Sequence, residues 1–172
     1  MSELAQQIVA FVQAHHGWAA PIIFALAFCE SFAFISVFLP TASILVGFGM
    51  LIGASGLDFW PAWLAATLGA FVAHWLAYDI AFRFKEQIAR LWPLSRNPAL
   101  LGRGVTFFRR WGLLAVFFGR FFGPLRAVMP LAAGLCEMPW ISFQTANLAS
   151  AILWTGGMLA PGVFGTRWFT LG

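Results

Sequence analysis

The chain has 172 residues, of which 61% are hydrophobic and only 9% charged, with 20 Phe, 9 Trp and a formal net charge of +4; its mean hydropathy is +0.84. A soluble domain carries about 25% charged and about 45–50% apolar residues, so this composition excludes a soluble enzyme or a nucleic-acid-binding domain and specifies a compact integral membrane unit. The basic residues are clustered, so the positive charge reports topology before it reports a ligand.

The first residues, MSELAQQIVAFVQAHHG, place Leu4, Ile8, Phe11 and Val12 at helical spacing against Gln6, Gln7 and Gln13. That pattern predicts a short amphipathic helix over 1–16 lying at the bilayer surface. With neither a basic n-region nor a long apolar core, no cleaved signal peptide is expected. From His16 to Phe82 the only charged residues are Glu30, Asp58 and Asp79. Residues 18–57 are long enough for two crossings, yet Pro40, Gly47, Gly49, Gly53 and Gly56 interrupt them. A break such as FLPTAS at apolar depth leaves backbone groups unpaired, which is tolerated only inside protein or against a wet cavity. Residues 18–57 are therefore read as a first re-entrant hairpin with its tip at Pro40 and Ser43.

Residues 59–82 read as an uninterrupted spanning helix, with Trp60 and Trp63 as anchors near its outer end. The segment 83–110 then holds Arg83, Lys85, Arg90, Arg96, Arg103, Arg109 and Arg110. Retention of Lys and Arg on the inner side places it in the cytoplasm, with an interfacial helix from Pro98 to Trp111. Residues 111–136 repeat the broken pattern around Gly123 and Pro124 and form a second hairpin, and 141–164 a final span. The fold expected is an all-α integral membrane protein: two opposed re-entrant helical hairpins plus spanning and interfacial helices. Broken helices in corresponding positions of two halves mark a transporter's binding site near the midplane. Cys29 and Cys136 lie far apart in apolar stretches and read as small core residues.

An ionised side chain near the bilayer centre costs about 2.5–3.5 kcal/mol or more, so Glu30, Arg120 and Arg126 need partners or a wet cavity. The break at Gly123 and Pro124 lets both guanidinium groups flank one tip. An arginine fork matches phosphate oxygens, which suits an anionic lipid headgroup; the competing reading is a structural ion pair that pins the hairpins together. His74 is read either as a proton carrier or as a buried neutral ring. Asp79 and Arg83, four residues apart, pair structurally.

The stretch FFGRFFGPLRAVMPLAAGLCEMPWISFQTANLASAILW resembles the signature of the DedA family, also called SNARE-associated Golgi or VTT-domain proteins. Gly119, Arg120, Phe121, Arg126, Pro130, Ala133, Gly134, Met138, Phe143, Asn147, Ala151 and Trp154 fall in its pattern, with Pro124 one residue late. The earlier CESFAFISVFLPTASILVGFG is similar to the family's E…FLPGDSLL element through Glu30, Phe38, Leu39, Pro40 and Ser43. The resemblance covers roughly residues 20–165. It implies opposed re-entrant hairpins that move lipids, with Glu30 as the essential acid and Arg120 and Arg126 as the two essential arginines. It also implies undecaprenyl phosphate recycling and proton-motive-force dependence, as in bacterial relatives, or phospholipid scrambling, as in eukaryotic ones. The chain departs from the pattern at Ala42 and His74, where the family has Asp, while Tyr78 is retained. Relatives also continue into another apolar helix, whereas this chain stops soon after Gly165, so its C-terminus is expected on the outer face or against a partner chain.

The expectation is thus a lipid transporter of the bacterial cytoplasmic membrane, without enzymatic chemistry, cofactor, metal or nucleic-acid partner. Membrane lipids, protons and a further copy of the chain remain as partners. A non-selective scramblase, a non-transporting scaffold and a lipid-phosphate enzyme are the alternatives. Against the enzyme, the sequence holds no GxSxG elbow, HExxH site or Walker loop.

Overall fold

The computed structural model describes residues 16–32, 49–50, 52–53, 58–85, 87 and 98–170. Within them lie α1 (His16–Ser31), α2 (Phe59–Arg83), α3 (Pro98–Gly119), α4 (Gly123–Leu135) and α5 (Trp140–Thr170), with no strand among the described residues. Residues 1–15 of the surface helix expected over 1–16, and the first tip with Pro40, Ala42 and Ser43, lie outside them.

Helix α2 is the centre of the molecule: α1, α4 and α5 pack on it, and α3 packs on α4 and α5. Its buried face is a stripe of small residues that includes Ala62, Ala66, Gly69, Ala70, Ala73, Ala77 and Ala81. In lipid, where no hydrophobic force draws helices together, such stripes allow the close backbone approach that dispersion needs. A methyl group at Gly69 would strike the Phe24 carbonyl of α1, and one at Gly134 of α4 would strike the Tyr78 carbonyl of α2. The chain around Gly49 meets the backbone of Leu159 and Gly162 on α5 in the same way.

The interruptions have identifiable causes. Gly112 takes φ 40° and ψ −110° inside α3, a conformation glycine alone adopts without strain. The interfacial helix and the first arm of the second hairpin, separated in sequence at Trp111, therefore meet at this kink. Between α3 and α4 the chain turns over Arg120–Phe122, with Phe121 N–H bonded to Phe118 O and Phe122 N–H to Gly119 O. Gly123 and Pro124 form the first turn of α4, where a fixed φ and a missing N–H cost nothing. Helix α4 ends in a Schellman motif: Met138 N–H bonds Ala133 O, Glu137 N–H bonds Gly134 O, and Glu137 has φ 53°.

Burial is inverted relative to a soluble protein. Glu30, Thr67, His74, Arg120, Gln144, Asn147, Ser150 and Thr155 are inside, whereas Trp60, Leu64, Leu68, Phe118, Ile141 and Leu153 are more than half or nearly half exposed. Polar contents inside an apolar exterior are what a bilayer solvent selects. Among the described residues α2 alone is long and apolar enough to cross a membrane; its 25 residues extend about 37 Å against an apolar thickness of about 30 Å. Helix α5, which contains the expected span 141–164, is longer still at 31 residues, but Gln144, Asn147, Ser150 and Thr155 dilute its apolar character. Two apolar clusters flank the polar layer: one around Ile23, Ala66, Trp154 and Leu159, the other around Tyr78, Val116, Met129 and Phe143.

Candidate functional site

Arg120 opens the turn that ends α3, and it is 1% exposed. Its Nη2 donates to the Ala70 carbonyl of α2 at 3.0 Å, lies 2.8 Å from His74 Nδ1 and reaches Asn147 Oδ1 of α5 at 3.4 Å. Asn147 is oriented for this because its amide nitrogen donates to Phe71 O at 3.1 Å and to Gln144 Oε1 at 3.4 Å, leaving its oxygen toward the guanidinium. Gly119 lets the turn close, since any larger residue would run into the Met129 side chain of α4. Arg120 Nε and Nη1 are buried and find no hydrogen-bond partner among the described residues. A guanidinium is donor-only, so these are spare, positively charged donors.

Arg126, in the first turns of α4, is built differently. Its Nη1 donates to Glu30 Oε1 at 3.0 Å across to the end of α1, and its guanidinium stacks over the Trp154 ring at 4.8 Å. Glu30 is fully buried and its Oε2 has no partner among the described residues. Arg120 is within electrostatic reach of both Glu30 and Arg126. Among the described residues the polar layer thus holds two cations against one carboxylate. The two guanidinium groups take separate partners in this conformation rather than sharing one.

Along the α2–α5 seam toward the Phe59 end, Thr67 Oγ1 and Thr155 Oγ1 meet at 2.8 Å, and Trp63 Nε1 donates to Ile152 O at 3.3 Å. Toward the Arg83 end, Tyr78 donates to Met138 O and stacks on Phe143 at 4.3 Å between centroids. Beyond Tyr78 a cavity of about 510 Å³ is rimmed by Asp79, Arg83, Glu137 and Trp140. Asp79 and Arg83 pair at 2.8 Å, and Lys85 pairs with Glu137. Pro130 is fully buried in α4, and Gly134 seats that helix on Tyr78 and Ala81. Cys29 and Cys136 form no disulfide.

Sequence reasoning missed Gln144 and the Thr67–Thr155 contact. Gln144, Asn147, Ser150 and Thr155 recur at near-helical spacing on α5, and that one-sided polar periodicity was the available signal. Its counterparts on α2 are Thr67 and His74, which meet Thr155 and Arg120, while the Ala70 and Phe71 carbonyls supply further acceptors.

These features define a helical membrane protein with a charged layer buried in an apolar shell. The VTT domain model matches residues 39–164, and the chain belongs to the VTT-domain (DedA) family. Inner membrane protein YabI of Escherichia coli (strain K12) is 34% identical over 138 residues, covering 80% of this chain and 54% of YabI. Inner membrane protein YghB of the same organism is 35% identical over 136 residues, covering 77% of this chain and 61% of YghB. An uncharacterized membrane protein of Buchnera aphidicola subsp. Baizongia pistaciae (strain Bp) is 29% identical over 154 residues, 90% of this chain and 60% of that protein. The chain therefore spans somewhat more than half the length of these relatives. No solved structure matches it significantly.

Proposed function

We propose that this protein transports an anionic lipid across a bacterial inner membrane by passing the phosphate headgroup through the buried charged layer while the tail stays in the apolar phase. The observation that carries this reading is Arg120, wholly buried, with Nε and Nη1 unpartnered among the described residues. A charge so placed is costly without an anion, and the one carboxylate in the layer is bonded to Arg126. Phosphate oxygens complement a guanidinium fork. Glu30 competes with phosphate for Arg126, and protonating Glu30 releases that arginine, which links proton entry to headgroup binding. Undecaprenyl phosphate and anionic phospholipids are the substrates with this chemistry. On this reading the protein needs no covalent chemistry.

The test is transbilayer movement of undecaprenyl phosphate and of common phospholipids in proteoliposomes, with and without an inward-acid gradient. Wild type should move the anionic lipid faster under the gradient, Arg126→Ala should not move it, and Glu30→Gln should lose the gradient response. Unchanged movement in Arg126→Ala rejects the reading, and gradient-independent movement of every lipid identifies a scramblase. The Glu30–Arg126 pair also favours a second reading, a scaffold pinned between α1 and α4. On that reading wild type moves no lipid and Glu30→Gln lowers the yield of folded protein.

A further inference from the structure

We infer that His74 is a positioning residue that fixes Arg120 as a neutral, Nε2-protonated imidazole, and that it passes no proton through the site. A guanidinium has five donors and no acceptor, so the 2.8 Å contact between Arg120 Nη2 and His74 Nδ1 requires a lone pair on Nδ1. The proton of the neutral ring is thereby assigned to Nε2. An imidazolium would set two cationic donors against each other at that distance. The contact would break, and Arg120 would be drawn from the Ala70 and Asn147 acceptors that its Nη2 also reaches.

Among the described residues the surroundings offer a charged ring no anionic partner, and Nε2 is buried without an acceptor. Arg120 faces it from α3, and Arg126 of α4 adds a second positive charge. From α5 the neighbour is Asn147, a neutral amide bonded to Phe71 O. Glu30 of α1 is engaged by Arg126. On α2 itself Tyr78, one turn away, gives its hydroxyl to Met138 O. Among the described residues no carboxylate bonds the imidazole. His74 therefore supplies an acceptor of fixed direction, which orients Nη2 inward and leaves Nε and Nη1 for another ligand. This consequence for transport rests on the reading of Arg120 as the headgroup ligand; the protonation state does not.

The experiment uses the full chain in lipid nanodiscs with ¹⁵N-labelled histidine, the His74 signals being assigned by their loss in His74→Asn. Nδ1 should remain a bare acceptor from about pH 8 to about pH 5, the range in which an unperturbed histidine titrates. A doubly protonated His74 ring anywhere in that range overturns the inference. In proteoliposomes the side-chain series reads the role. Asparagine carries its oxygen on Cγ, as histidine carries Nδ1, whereas glutamine carries it one atom further out. His74→Leu and His74→Gln should lower transport on the order of tenfold, the effect of stranding one buried charged donor. His74→Asn should restore it to within about threefold of wild type, with the gradient response intact. Loss of that response in His74→Asn would make His74 a proton carrier and overturn the inference. If wild type moves no lipid, the transport reading falls, and the ring protonation still decides the role of His74.

Discussion

The two buried arginines lie six residues apart, yet they are held by opposite means. Arg126 has an ionic partner, Glu30, and an aromatic face, Trp154, and its side chain keeps 13% of its exposure. Among the described residues Arg120 bonds no acid; a backbone carbonyl, an imidazole nitrogen and an amide oxygen hold it. A carboxylate partner can be protonated or displaced by another anion, so the Arg126 contact is exchangeable. Carbonyl and amide acceptors have no second charge state near neutral pH, and a neutral His74 leaves the third acceptor in place, so the Arg120 contact is the fixed one. On the transport reading proposed above, Arg120 is the fixture of the site and Arg126 its exchangeable part.

That contrast can be broken most severely at Arg120. Arg120→Lys keeps the charge but loses the fork, and the shorter reach abandons Ala70 O or Asn147 Oδ1. Transport should fall on the order of a hundredfold, with a folding loss of about 1–3 kcal/mol in detergent-denaturation titrations. Retention of both would show that the cradle is unimportant. Glu30→Gln should preserve a hydrogen bond to Arg126 and cost less, about 1 kcal/mol, while making transport indifferent to a pH gradient. A gradient response that survives this change would place the exchangeable contact elsewhere. Trp154→Leu removes the stacked ring and should weaken headgroup retention at Arg126 about threefold or more, in line with about 0.5–2 kcal/mol for a cation–π contact, as read from the lipid-concentration dependence of transport. The smallest effect belongs to Thr155→Val, outside both arginine environments. It should lower stability by about 0.6 kcal/mol and leave transport within twofold or so of wild type; a larger transport defect would extend the site along the α2–α5 seam.

The parts of this arrangement that were legible in the sequence are those that violate a local rule. Glu30, Arg120 and Arg126 stand out because charge is rare in such stretches, and the turn over Arg120–Phe122 falls beside the Gly123–Pro124 pair that announces it. The uninterrupted run after Asp58 gave α2 within a residue of its end. The division at Trp111 falls beside the kink at Gly112, where two helices meet, because a glycine there is the local signal for a break. The partners of Arg120 were beyond reach for a different reason. The Ala70 carbonyl belongs to every residue type, and whether Asn147 comes level with it depends on the register of α5 against α2, which only packing determines. The alanine stripe of α2 shows that something packs closely there; it does not tell α1 from α4 as the helix that meets Gly69.

The apolarity of α2 also governs how the protein enters its membrane. Among the described helices only α2 has the length and composition to partition on its own. Helix α1 ends in Glu30, the turn after α3 carries Arg120, and α5 holds Gln144 and Asn147, so each becomes tolerable in lipid only when its counterpart is already in place. An order of insertion is the expected consequence: α2 settling first and presenting its alanine stripe and the Ala70 and Phe71 carbonyls as a template. The remaining segments are retained as they dock on it. A lesion in that stripe would then appear as failed biogenesis and rapid degradation, before any question of activity arises.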